Sequence, residues 1–149
     1  MAILNRLPTL DRLLSWGIEI GGNCLLCQNE LQTRDHLFFG CDYSKGIWQR
    51  ILALCGVRRE TESWAEEIAW AVSHMKGKSM RSIVLRLAWK AFIYHVWRER
   101  NSRKNNQKSQ SSTQVFEQIK GVICIKIAEL KGAAESTTNR EFIHNWGNQ

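Results

Sequence analysis

The sequence predicts a mainly α-helical protein in which a short segment rich in cysteine precedes a few amphipathic helices. Three observations lead to this prediction. Four Cys and His residues fall within eighteen positions near the start of the chain, apolar residues recur at helical spacing from Ser44 onward, and Pro8 is the single proline. The 149 residues, 44% hydrophobic and 23% charged, are typical of one ordinary globular domain.

Two helices are predicted on either side of the cysteine-containing segment. The first spans Thr9 to Trp16, because Thr9 suits an N-cap and Gly17 suits the position after a helix end. The second begins near Ser44 and stops at Gly56, with an apolar face of Ile47, Trp48, Ile51, Leu52 and Cys55. Because Cys55 shares this face, we predict it to be a small core residue and not a metal ligand.

Further helices are predicted in the rest of the chain. Ser63 and Glu66 form a capping-box pattern that opens a helix with an inward face of Trp64, Ile68, Ala71 and Val72. The longest helix runs roughly from Met80 to Arg103, with a stripe of Ile83, Val84, Leu87, Ala91, Tyr94 and either His95 or Arg98. Polar residues over 101–113 indicate a flexible linker or a fraying helix end. The last helix covers about 114–132 and carries Phe116, Ile119, Val122 or Ile123, Ile127 and Leu130.

This pattern divides the chain into three regions. Residues 1–57 hold the Cys-Cys-His-Cys region with its flanking helices, and residues 58–105 hold a helical region with the long basic helix. Residues 106–149 hold the linker, the C-terminal helix and a polar tail. In the tail, the candidates for docking onto the core are Phe142, Ile143 and Trp146.

The four candidate metal ligands are Cys24, Cys27, His36 and Cys41, spaced Cys-x2-Cys-x8-His-x4-Cys. A Cys-x2-Cys turn places two sulfurs about 4 Å apart, which matches one edge of a zinc tetrahedron. Four protein ligands leave no position open for water or substrate, so the pattern predicts one structural zinc ion in a small zinc knuckle. The alternative is a chance arrangement of buried thiols with a surface histidine. A redox dithiol is disfavoured, since no strand precedes the pair.

Residues beside the ligands have predicted supporting roles. Thr33 suits the N-cap of a turn that orients His36, and Gly40 gives the backbone the freedom to turn the sulfur of Cys41 inward. Three thiolates and a neutral imidazole around Zn²⁺ leave a net charge of about −1. We expect a donor such as Arg34, or a backbone amide, to offset this charge.

The positive charge of the chain is regional. The net charge is +7, and residues 76–108 hold ten basic residues against one acid, Glu99. This concentration favours a polyanionic partner, nucleic acid before an anionic membrane surface. The candidates for phosphate contacts at the end of the longest helix are Arg98, Arg100, Arg103 and Lys104. The alternative is that these cations form a solvated helix face and complement the helix dipole.

Several runs of residues resemble one known family. Asn5-Arg6-Leu7-Pro8-Thr9, the ligand spacing with Asp35-His36-Leu37-Phe38-Phe39, and Ile47-Trp48 are similar to the zinc-binding domain that follows the reverse transcriptase in plant LINE-type (non-LTR) retrotransposons. Val96-Trp97-x-Glu99-Arg100-Asn101-x-Arg103 resembles a segment found downstream in those polyproteins, so the resemblance covers about residues 3–105. The resemblance implies that the same four residues, Cys24, Cys27, His36 and Cys41, bind zinc. It also implies a domain that helps a polymerase to handle its RNA or the target DNA.

The chain departs from the family in two respects. The family domain usually begins some tens of residues upstream, so we expect its N-terminal part to be missing. The sequence also contains no Asp-Asp pair in a hydrophobic strand and no set of carboxylates suited to two-metal chemistry. A Gly-rich phosphate loop and a nucleophile elbow are absent as well, and we expect no enzymatic activity.

The leading functional hypothesis is a non-catalytic module that binds RNA or DNA without strong sequence preference. A retrotransposon polymerase acting in trans is a further candidate partner. The alternative is a structural or protein-interaction remnant of a retrotransposon polyprotein, and a third possibility is a truncated relic with no selected function. We expect no membrane partner and no small-molecule substrate, since the apolar runs are too short to span a bilayer. The expected location is intracellular, in the nucleus or the cytoplasm, where five cysteines stay reduced.

Overall fold

The computed structural model describes residues 2–106, 108–130 and 137–147. In these residues the chain forms six α-helices and one π-helical turn, with an isolated antiparallel bridge between Asn23 and Leu31 as the β structure. The elements are α1 (Leu10–Ser15), the π-helical turn (His36–Gly40), α2 (Asp42–Leu54), α3 (Trp64–His74), α4 (Met80–Lys104), α5 (Ser112–Leu130) and α6 (Thr137–Gly147). The mainly α-helical prediction is therefore confirmed.

Helix ends agree with the prediction where the end signals are local. Gly17 and Gly56 follow α1 and α2 with φ of 77° and 68°, the left-handed conformation that glycine adopts without a steric penalty. Helix α3 starts with a complete capping box, in which Ser63 accepts from the amide of Glu66 and the Glu66 side chain accepts from the amide of Ser63. Thr9 precedes α1 as predicted, but its side chain makes no capping hydrogen bond.

The predicted apolar stripe of α4 is wrong by about one residue position. Its inward apolar side chains are Val84, Leu85, Ala88, Trp89, Phe92 and Val96. Ile83, Leu87, Ala91 and His95 lie half-buried at the flanks, whereas Tyr94 is 61% exposed and Arg98 is exposed. Apolar residues occur on most sides of this helix, so periodicity alone does not select a face. The packing of Trp89 and Phe92 into the core determines which face of α4 is buried.

The inward face predicted for α3 also needs a correction. Val72 is exposed, and Glu67 occupies an inward position with a fully buried side chain. Its carboxylate accepts hydrogen bonds from Nε1 of Trp48 at 3.1 Å and from the amide of Glu62 at 2.9 Å, and it pairs with Arg59. These partners offset the desolvation that normally keeps a carboxylate out of a core.

The C-terminal elements differ from the prediction mainly in their bounds. Helix α4 continues through Lys104, so the first residues of the predicted linker are helical. In α5, Ile123 is the buried member of the predicted Val122/Ile123 pair. The predicted end of this helix at Gly132 lies outside the described residues. Among the helices described, none combines the length and the apolar character needed to cross a bilayer.

The core centres on aromatic side chains packed under the π-helical turn. The ring centroid of Phe39, in this turn, lies between 5.4 and 6.2 Å from those of Trp48, Trp64, Trp89 and Phe92. Helix α5 packs on α2 and α4, and α6 adds Phe142 and Trp146, with Ile143 partly buried against the same core, so the predicted docking of the tail is confirmed. The helices therefore form the platform on which the cysteine-containing segment rests.

Candidate metal centre

The structure brings Cys24, Cys27, His36 and Cys41 together, with all four ligand atoms within 4.8 Å of one another. The sulfurs of Cys24 and Cys41 are 4.0 Å apart, and the sulfur of Cys27 lies 3.2 Å from Nε2 of His36. A zinc tetrahedron with ordinary bond lengths requires about 3.8 Å between two sulfurs and about 3.6 Å between sulfur and nitrogen. The donor set and its spacing therefore fit a tetrahedral zinc ion.

The first two ligands lie on the knuckle loop, which we define as residues 23–31. The loop is closed by the backbone, since the amide of Cys24 donates to the carbonyl of Glu30 at 2.6 Å. Gln28, directly after Cys27, adopts a φ of 62°, and its amide donates to the carbonyl of Cys24 at 2.7 Å. This tight turn holds both sulfurs on the same side of the loop.

Backbone amides point at the ligand sulfurs. The backbone at Leu26 and Cys27 lowers the pKa of the Cys24 thiol, and the backbone at Tyr43 and Ser44 acts in the same direction on the Cys41 thiol. These are the backbone groups that the prediction expects to offset the charge of a metal centre.

The two buried thiols, Cys24 and Cys41, contact each other. The hydrogen bond from Cys41 lowers the pKa of Cys24 to about 4, whereas the same contact and burial raise the pKa of Cys41. A metal ion would bind these sulfurs as thiolates and displace the protons that they still carry.

His36 is held from both sides. Its amide donates to the hydroxyl oxygen of Thr33 at 3.0 Å, as predicted for an N-cap at the start of this turn. Nδ1 of the imidazole lies 3.1 Å from a carboxylate oxygen of Glu30. A carboxylate at this position keeps the proton on Nδ1, so Nε2 presents its lone pair on the side of Cys27.

The structure gives Gly40 a different role from the predicted one. Its φ is outside the left-handed region, so backbone freedom is not what the position needs. A Cβ at this position would lie 3.3 Å from Nδ1 of His36. Glycine here leaves room for the imidazole directly before Cys41.

The side chain that reaches a ligand sulfur is Gln32 and not Arg34. The guanidinium of Arg34 pairs with Asp35 at 2.9 Å and lies 4.5 Å from the ring centroid of Trp64. Gln32 is fully buried, and its Nε2 donates to the sulfur of Cys24 at 3.9 Å. The sequence does not distinguish Gln32 from the polar residues around it, so the pattern could not have identified this donor.

The four basic residues predicted to contact phosphates lie in two different environments. Arg98 and Lys104 are exposed. Arg100 is 1% exposed, the side chain of Arg103 is 20% exposed, and both donate hydrogen bonds to other parts of the chain. Burial lowers the pKa of Arg100, and the charge of Cys24 acts in the opposite direction. The single acid of the basic segment, Glu99, pairs with Arg103 at 2.7 Å, and this i,i+4 spacing was the one signal of an internal role in the sequence.

A Cys₃His set that closes a tetrahedron and is held by neighbouring amides defines a metal-binding domain of the knuckle type. Residues 1–48 match the family described as zinc-binding in reverse transcriptase, and this segment contains all four ligand residues. The resemblance inferred from the sequence is therefore confirmed at this level: the N-terminal third of the chain is similar to the zinc-binding domains of reverse transcriptases. No match is found among curated proteins or among solved structures.

Proposed function

We propose that the chain is a non-catalytic module that holds one structural zinc ion and binds RNA or DNA without strong sequence preference. The distribution of cations supports this proposal. Seven of the ten basic side chains in 76–108 are exposed, and they are Lys76, Lys78, Arg81, Lys90, Arg98, Lys104 and Lys108. Exposed cations contact phosphates through charge and carry little information about base sequence.

The metal part of the proposal rests on the closed ligand set. Cys24, Cys27, His36 and Cys41 would hold the ion with four protein donors, which leaves no coordination position for water or substrate. The ion would then join the knuckle loop to the π-helical turn. Its role is structural on this reading.

The nucleic-acid part of the proposal has a candidate surface at the end of α4. A cavity of about 470 Å³ is lined there by Tyr94, His95, Arg98 and Lys108, among others. The exposed ring of Tyr94 is suited to stacking on an unpaired base, and the two cations beside it are suited to phosphates. Burial lowers the pKa of His95, so this imidazole is neutral near pH 7 and adds no charge to the surface.

A second function is favoured by a different observation. Apolar side chains are exposed around the knuckle loop, at Leu14, Trp16, Ile18 and Leu31. Two of them meet over Gly22, where a Cβ would lie 3.4 Å from Leu14 and 3.1 Å from Leu31. Such a patch is typical of a protein-interaction surface, which corresponds to the alternative of a structural or protein-interaction remnant.

The test is a titration of labelled oligouridylate and oligothymidylate of about 20 nucleotides at several salt concentrations. The triple variant Arg98→Gln, Lys104→Gln, Lys108→Gln should bind more weakly. Its log–log salt slope should be shallower by about 2, since each phosphate contact on a single strand contributes about 0.7. The matched control, Arg6→Gln with Arg58→Gln and Lys126→Gln, removes the same charge from exposed sites elsewhere and should change the slope much less.

The same preparations test the metal. Elemental analysis should give about one zinc ion per chain, and Cys27→Ser should lose it. A folded wild-type chain free of metal would contradict the zinc proposal. Absence of binding to both oligonucleotides at low salt would contradict the nucleic-acid proposal and leave the protein-interaction function.

A further inference from the structure

The C-terminal end of α4 is in contact with the knuckle loop, although more than seventy residues separate them. Arg103 donates from one terminal nitrogen to the carbonyls of Leu25 at 3.2 Å and Leu26 at 3.1 Å. These two residues lie between the ligands Cys24 and Cys27 in the sequence. The guanidinium of Arg103 is therefore hydrogen-bonded to the backbone of the turn that carries the first two ligands.

Arg103 is itself fixed by other groups. Its Nε donates to the carboxylate of Glu99 at 2.7 Å, and a second terminal nitrogen donates to the carbonyl of Gln110 at 2.9 Å. The guanidinium also lies 4.9 Å from the ring centroid of Tyr43, in the first turn of α2. With these contacts, Arg103 joins the knuckle loop to α2, α4 and the segment before α5.

Arg100 reaches the metal centre through one intermediate side chain. Its Nε donates to Oε1 of Gln32 at 2.8 Å, and the other end of the Gln32 amide donates to the sulfur of Cys24 at 3.9 Å. A terminal nitrogen of Arg100 also donates to the carbonyl of Pro8 at 3.1 Å. Both side chains of this relay are almost completely buried.

The charges balance only when the metal centre is included. Among the described residues, no carboxylate lies within salt-bridge distance of Arg100. A buried cation without a counter-charge is strongly unfavourable. A zinc ion with three thiolates and a neutral imidazole carries a net charge of about −1, which is the counter-charge that Arg100 lacks. Arg103 needs no counter-charge from the metal centre, since the carboxylate of Glu99 neutralises its guanidinium.

We propose that Arg100 and Arg103 are positioning residues of the metal centre, Arg100 as its buried counter-charge and Arg103 as a clamp on the knuckle loop. The metal-binding unit then extends to the end of α4, well beyond residues 1–48. This inference rests on the proposed zinc site and is independent of nucleic-acid binding. It also removes both arginines from the set available to phosphates.

The test is a Co²⁺ titration of the full chain, followed by competition with Zn²⁺, with thiolate-to-cobalt absorption as the readout. Arg100→Gln should weaken metal binding by about 10- to 100-fold, the usual effect of losing a group that supports the ligands. Arg98→Gln, an exposed arginine two positions earlier on the same helix, is the matched control and should bind as the wild type does. Arg100→Lys keeps the charge but not the planar fork, and it should recover most of the affinity.

Arg103 is tested in the same titration. Arg103→Gln should release the metal faster into excess chelator, with exposed Lys104→Gln as the control. Equal affinity for Arg100→Gln and the wild type would overturn the counter-charge role. Affinity lost equally in Arg100→Gln and Arg100→Lys would overturn it too, because a purely structural loss is insensitive to charge. If Arg100→Gln does not fold, as judged by helical circular dichroism, a second neutral variant, Arg100→Met, is compared with Arg98→Met, and equal affinities of these two would overturn the counter-charge role. A wild-type chain that binds neither metal would contradict the zinc proposal and this inference with it, whereas a wild type that binds metal no better than Arg100→Gln would overturn this inference alone.

Discussion

At the scale of single residues, the metal centre separates into ligands and supporting side chains. Spacing alone predicted Cys24, Cys27, His36 and Cys41, because a metal site imposes short, characteristic separations along the chain. The supporting side chains carry no such constraint. Glu30 and Gln32 occupy ordinary loop positions, and only the folded backbone brings one to the imidazole and the other to a sulfur.

The contact between Glu30 and His36 leads to a prediction about metal affinity. Glu30→Ala removes the carboxylate that holds the proton of the His36 imidazole on Nδ1. A smaller fraction of the imidazole then has a free lone pair on Nε2 for the metal. The Glu30 side chain is 71% exposed, and we therefore expect a loss of zinc affinity of about tenfold, the low end for such partners. Chelator competition measures this loss. Glu19→Ala, an exposed carboxylate before the knuckle loop, should leave the affinity unchanged, and equal values for both variants would show that Glu30 does not support the histidine.

At the scale of elements, the predictions succeed at helix ends and fail on helix faces. An end is specified by one or two local residues, such as Gly17 after α1 or the Ser63–Glu66 box at α3. The buried face of a helix is selected by packing. The hydrophobic periodicity of the sequence identifies that face only when the opposite side of the helix is polar. Helix α4 is apolar on several sides and α3 buries Glu67, so both faces required the tertiary structure.

The capping box allows a test of the element-scale account. Ser63→Ala removes the hydroxyl that accepts from the Glu66 amide, and we expect a loss of about 1 kcal/mol in the free energy of unfolding. Urea denaturation at neutral pH measures the loss, with Ser109→Ala, in an exposed loop, as the control.

Acid should remove the part of this stabilisation that the Glu66 carboxylate contributes. Hydrogen bonds with Ser63 lower the pKa of Glu66 below its ordinary 4.5, so the folded state binds its proton less readily than the unfolded state. The contribution is therefore present above the ordinary pKa and is lost as the pH falls through the lowered one. The difference between wild type and Ser63→Ala should shrink over this acidic range, and a difference independent of pH would show that the carboxylate takes no part in the cap.

At the scale of the whole molecule, the zinc-binding segment and the helices form one core. Residues 1–48 match the family, yet the π-helical turn within them places Phe39 against Trp64, Trp89 and Phe92 from α3 and α4. Arg103 on α4 donates back to the knuckle loop. These contacts join positions far apart in the chain, and neither local pattern nor spacing contains them. The three regions predicted from the sequence therefore do not indicate which parts of the chain would fold in isolation.

This dependence leads to a prediction for the isolated N-terminal region. A fragment of residues 1–57 keeps all four ligands and α2, but it exposes the apolar face of the π-helical turn and lacks both arginines of α4. Binding must then supply the free energy of ordering the loop, so zinc affinity should fall by at least about tenfold relative to the full chain. Chelator competition measures the affinity, and amide hydrogen exchange of the zinc-loaded fragment should show little protection at Leu37, Phe38 and Phe39. Equal affinity with strong protection at these residues would mean that the knuckle folds on its own and that the helices only attach to it.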